Sequence, residues 1–192
     1  MALRKKKRWN WSAIIISLIL VSSTFAVIFY GFGPNTDTKH FNDYKFTRSA
    51  DGWQTTINGN QIFFNYLPDE VESIPFDTSI ASPMASSPEI DITSSFNDTN
   101  AQTIALAQSQ FEQVAGQLSQ IYVRKGFDAN TTYDFPIITC TQAQNVPIIY
   151  MKTGQNLSVS KEGLCIIAQG SNAQDFIKIK DKILYAMYGV LQ

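Results

Sequence analysis

The stretch EIDITSSFNDTNAQTIALAQSQFEQVAGQLSQIYVRKG, residues 89–126, decides the fold class, because its hydrophobic period changes partway along. Ile90 and Ile92 alternate with polar neighbours, which predicts a strand. From Thr103 to Lys125 the apolar residues Ile104, Ala107, Phe111, Val114, Ala115, Leu118, Ile121 and Tyr122 recur at spacings of three and four, which predicts one long amphipathic helix. Asp98, Thr99 or Asn100 can cap its start. Arg124 and Lys125 suit the negative end of its dipole, and Gly126 can adopt the left-handed conformation that closes it.

Downstream, the apolar runs Pro136 to Cys140, Val146 to Met151 and Leu164 to Ala168 lack alternation, as expected of strands covered on both faces. The segment between the last two reads as a hairpin loop. Ser171 and Gln174 fit a capping box for a final helix. That helix presents Phe176, Ile179, Ile183, Ala186, Met187 and Val190 on one side, with Lys178, Asp181 and Lys182 expected to face outward; its charges exclude a membrane span.

Upstream, Asp51-Gly52 and Asn58-Gly59 separate Tyr44 to Arg48, Trp53 to Ile57 and Asn60 to Tyr66, which predicts a meander of three antiparallel strands. Pro68 to Ile74 suits one or two helical turns. Pro75 to Pro88, rich in Ser and Pro, reads as a surface loop with little to give the core. The expected fold is α+β or α/β: an N-terminal transmembrane helix, the meander, then strands with two long amphipathic helices packed on a sheet.

Charge divides the 192 residues unevenly. Arg4 to Arg8 is a solid basic block, and no charged side chain follows until Asp37. Residues 11–32, from Trp11 to Phe32, extend roughly 33 Å as a helix, enough to cross a hydrocarbon core of about 30 Å. Trp9, Trp11 and Tyr30 suit the two interfaces, and the basic side predicts a cytoplasmic N-terminus. The alternative is a cleaved secretory signal, although apolar residues continue past the small residues Ser22, Ser23 and Ala26. The expected organisation is a basic tail 1–10, a span 11–32, a linker 33–40, and a single extracytoplasmic domain 41–192. Within that domain lie the meander and short helix 41–74, the Ser/Pro-rich loop 75–88, and the strand-helix-strands-helix part 89–192. Beyond the basic block 10 Lys and Arg face 16 acidic residues, so a nucleic-acid partner is not expected.

Cys140 and Cys165 are the only cysteines, and outside the cytoplasm a disulfide between them is expected, two separate buried thiols being the alternative. Asn97, Asn130 and Asn156 begin exterior N-x-S/T glycosylation sequons, and Asn10 begins one that would face the cytoplasm. His40 is the sole histidine and falls in the linker, so neither a metal site nor a histidine-based triad is expected. Glu89 and Asp91 share a strand face and could form a carboxylate pair, although a solvated strand edge suits them as well. Ser158-Val159-Ser160-Lys161 matches S-x-x-K and Lys152-Thr153-Gly154 matches K-T-G, elements that resemble those of serine acyltransferases such as penicillin-binding proteins and β-lactamases. In that family S-x-x-K opens a helix well upstream of K-T-G; here the order is reversed within ten residues, and no catalytic residue is assigned.

No cofactor motif is present. The functional expectation is a membrane-anchored extracytoplasmic binding or assembly module of the cell envelope, with the lipid bilayer and another envelope protein as partners. The alternatives are an envelope enzyme whose site is assembled from separated residues, and a pilin-like subunit.

Overall fold

A computed structural model describes residues 15–21 and 37–191. Residues 15–21 are helical with exposed apolar side chains; the remainder of the expected span 11–32, and the basic tail, lie outside the described residues. Among the described residues no helix is long and apolar enough to cross a membrane. Residues from Asp37 onward form one compact unit.

That unit begins with an antiparallel sheet of four strands: β1 (Thr38–Phe41), β2 (Tyr44–Ser49), β3 (Gly52–Ile57) and β4 (Asn60–Phe64). Asn58 and Gly59 turn with φ of 50° and 79°, the pair of positive angles that a two-residue hairpin requires. The meander has one more strand than the three expected. Thr38 to His40, placed in the linker by their polarity, pair with Lys45 to Thr47 through a tight turn in which Asn42 takes φ 49°. The β2–β3 turn is Ala50-Asp51, not Asp51-Gly52, since Gly52 already pairs with Ser49.

The second sheet has the order β6-β5-β7-β9-β8, with β5 (Glu89–Ser94), β6 (Tyr122–Phe127), β7 (Ile148–Thr153) and β9 (Cys165–Gly170) parallel and β8 (Ser158–Glu162) antiparallel at the edge. Two short helices, α1 (Pro68–Val71) and α2 (Ala81–Ser86), precede it, and the long helices are α3 (Ala101–Ser119) and α4 (Ala173–Met187). Alternation sorts the central strands between two faces. Ile90, Ile92, Ile149, Met151, Ile166 and Ala168 join the main core with the helices. Ile148, Cys165, Tyr150 and Ile167 pack with Ile138, Cys140 and Ala143 of the crossover 128–147.

Helix α4 is the hub. It packs on β9, α1, α2 and α3, and Tyr185 stacks on Phe64 at 4.2 Å and meets Phe46 edge-on at 6.0 Å from the meander. Surrounded in this way it buries nearly its whole circumference, including Asp181 and Lys182, which the amphipathic reading had placed outward. Asp181 Oδ2 accepts hydrogen bonds from the backbone N–H groups of Asn65 and Tyr66, and Lys182 Nζ donates to the Glu72 carbonyl. Its N-cap is Asn172, whose side chain accepts from Gln174 and Asp175 N–H, rather than Ser171.

Further differences have clear physical causes. The Ser/Pro-rich stretch 75–88 does supply core: Ile80 and Met84 are fully buried, each removal from water contributing about 1.5–3 kcal/mol. The long helix stops at Ser119, where Gln120 takes a left-handed φ of 55°, and Gly126 lies inside β6 instead of closing the helix. A Cβ at Gly126 would collide with the Pro136 carbonyl and the Ile138 side chain, so glycine is what lets the crossover lie against the strand. The run Pro136 to Cys140 makes a single bridge, Ile137 to Phe127, and turns Ile138 alone fully inward; it is not a strand. The expected hairpin loop after β7 carries β8.

Candidate functional site

The site is a groove at the carboxyl ends of β5 and β6. After Ser94 the chain leaves β5 toward α3 on one face, whereas after Phe127 it leaves β6 into the crossover on the opposite face. Adjacent parallel strands whose continuations diverge leave a crevice between them at the carboxyl end of the sheet; the reversal of strand order lies on the other side of β5, between β5 and β7. Here the crevice is a cavity of about 400 Å³.

Its floor is polar and buried. Ser94 and Gln108 are 5% and 7% exposed, and Gln108 Nε2 donates to Ser94 Oγ at a long 3.4 Å. On the wall, Lys125 Nζ lies 2.6 Å from Glu112 Oε2, so its charge is compensated. The rim is aromatic: Phe96, Tyr133 and Phe135 are 44%, 61% and 53% exposed. Phe127 ties them together, edge-on to Phe135 at 5.4 Å and to Phe96 at 6.3 Å, and 6.2 Å from Tyr133.

Each rim segment is held from behind. Asp98 accepts hydrogen bonds from Thr153 N, Thr153 Oγ1 and Asn100 N, which pins the loop bearing Phe96 to the end of β7. Desolvation pushes the Asp98 carboxyl up, but these three donors outweigh it and hold it below the usual carboxylate range. On the other side, Tyr150 donates to Asp128 Oδ2 at 2.9 Å; burial, this bond and the neighbouring negative charge push the phenol up to about 12. The disulfide between Cys140 and Cys165, with Cα atoms 5.3 Å apart, fastens the crossover that carries Tyr133 and Phe135 to β9.

The carboxylates singled out by the sequence lie at the opposite end of β5. Glu89 and Asp91 do share a face, and Arg124 of β6 bridges them: its guanidinium donates to both oxygens of Asp91 and lies 3.4 Å from Glu89. The single cation compensates one of the two negative charges, and its paired hydrogen bonds go to Asp91, which is buried. Ser158 and Lys161 are on a strand, three positions apart and so on opposite faces, and Lys161 Nζ reaches Ser79 Oγ. His40 is exposed on β1 opposite Lys45. Asn97, Asn130 and Asn156 all sit exposed in loops that follow the carboxyl ends of β5, β6 and β7. Among the described residues, no three His, Cys, Asp or Glu side chains are grouped to hold a metal.

None of the groove residues had been singled out as a binding group from sequence. Two signals were available: Gln108 interrupts the buried stripe of α3 between Ile104 and Phe111, and three aromatics, Phe127, Tyr133 and Phe135, fall within nine residues outside any apolar run. Comparison with family models, curated proteins and solved structures finds no match to this chain.

Proposed function

We propose that this chain is a membrane-anchored extracytoplasmic binding module of the cell envelope, and that the groove between β5 and β6 is its recognition site. The observation that carries this reading is three aromatic side chains exposed around a cavity with a buried polar floor. Such a surface is costly to keep in water and is characteristic of a binding site. Among the described residues the lining combines these aromatics with hydroxyl and amide groups and one lysine held by Glu112, a mixture of apolar surface and a few polar groups that suits binding. The basic block, the uncharged stretch 11–32 and the disulfide support an anchored domain in an oxidising compartment, with glycans on Asn97, Asn130 and Asn156 as a companion proposal.

A photo-crosslinking residue placed at Phe135 in the full-length protein, in its native membrane, tests the assignment. Adducts at Phe135 that are absent when the same residue replaces Lys45 on the meander are expected. Equal labelling from both positions, or none, would overturn it. Protease digestion of intact cells, with cleavage of residues 37–192, checks the orientation.

A further inference from the structure

Resting on that reading of the groove, we infer that its ligand is a neutral sugar, bound with a ring face against the aromatic rim and hydroxyls turned toward Gln108 and Ser94. The argument begins with charge. Among the described residues Lys125 is the one ionised side chain in the lining, and Glu112 already holds its ammonium group. An anionic ligand would meet the negative charge of Glu112 beside that ammonium group, and a cationic one would meet no carboxylate among the described lining residues.

Hydrogen bonding narrows the class further. An apolar occupant would cover the Gln108 amide and the Ser94 hydroxyl, which share one long hydrogen bond, without offering either group a further partner, and covering under-paired polar groups is unfavourable. An amide and a hydroxyl offer donors and acceptors together, which a ligand hydroxyl, itself both donor and acceptor, can meet from either side. Ser95, Gln102 and Ser109 add neutral groups of the same kind to the lining.

Shape completes the case. Phe96, Tyr133 and Phe135 expose aromatic surface above this polar floor. The complementary molecule has an apolar C–H face and a polar edge, which is the anatomy of a pyranose ring. A cavity of about 400 Å³ suits a mono- or disaccharide segment.

The test uses full-length protein in a detergent without a sugar headgroup, and saturation-transfer NMR with maltotriose, mannobiose, chitobiose, digalacturonic acid and adenosine. Binding of at least one of the three neutral sugars is expected, at least tenfold tighter than digalacturonic acid or adenosine. Phe135→Ala and Gln108→Leu are each expected to weaken it tenfold or more while melting at the temperature of the parent protein within a few degrees. Preference for the charged sugar or the nucleoside, binding that both variants retain, or no binding by any neutral sugar would overturn the inference. If no sugar binds while a crosslinker at Phe135 still captures a polypeptide, the sugar assignment falls and the binding module stands. If the crosslinker is silent as well, both fall.

Discussion

Lys180 and Asp181 are neighbours in sequence, yet both side chains are buried, and Lys180 Nζ lies 2.5 Å from Asp181 Oδ1 where α4 meets the end of the meander. Lys180 also donates to Asn65 Oδ1, and Tyr185 O–H donates to the Tyr66 carbonyl, so consecutive turns of one helix grip the same two residues after β4. The pair is a fastening between elements separated by more than a hundred residues.

Removing one member leaves the other buried without its partner. Asp181→Ala is expected to cost about 3–5 kcal/mol in urea unfolding, because it strands both Lys180 and the two N–H groups. Asp181→Asn combined with Lys180→Met should cost less than Asp181→Asn alone; an equal or larger cost would show that the charges do not depend on one another.

Met84 discriminates core from surface in the Ser/Pro-rich segment. Its complete burial leads us to expect a loss of about 2–5 kcal/mol for Met84→Ala. A surface loop would give a change within about 0.5 kcal/mol, so one unfolding curve decides the matter.

The disulfide closes a separation of 25 residues, for which the chain-entropy model assigns on the order of 3 kcal/mol. Cys140→Ser with Cys165→Ser should lose about that much and should raise amide hydrogen exchange in residues 128–147 above that of β7. Denatured, unreduced parent protein should show no reactive thiol.

Acid stability follows from Asp98 and Asp175. Burial raises both carboxyls, yet hydrogen bonds from Thr153 and Asn100 to the first, and from Ser171 and Asn172 to the second, hold both below the ordinary value. A depressed carboxyl stabilises the fold fully above the unfolded value of about 3.9 and loses that contribution as pH falls through the folded one. The melting temperature should therefore be insensitive to these groups above about pH 5 and should drop below about pH 4. Asp98→Asn should lower stability at pH 7 and flatten the acid slope; an unchanged slope would remove Asp98 from the account.

Local chemistry made much of the fold legible. Asn58-Gly59 marks its hairpin because few other pairs accept two positive φ angles, and Ile90 and Ile92 reveal β5 by alternation. Errors arose where tertiary partners override local preference. Ile121 and Tyr122 continue the three-and-four spacing of α3, yet Gln120 ends the helix, and Arg124 is drawn into β6 by Asp91 across the sheet. Asp181 looked like a solvent residue because its acceptors' partners, Asn65 and Tyr66, are remote in sequence. The groove was invisible for the same reason: Ser94, Gln108 and Phe135 come from a strand, a helix and a crossover, and only the divergence of chain paths after β5 and β6 brings them together.

The position of α4 bears on how the polypeptide reaches its final state. The helix on which both sheets depend follows every described strand, so a ribosome working from the amino end releases all nine of them before the element that joins them. Until then Phe46, Phe64, Ile149 and Ile166 have no shared interior to enter. We expect the domain to emerge from synthesis as a waiting, chaperone-dependent intermediate that closes in one late step, and stalling translation before Ala173 should leave it open to protease.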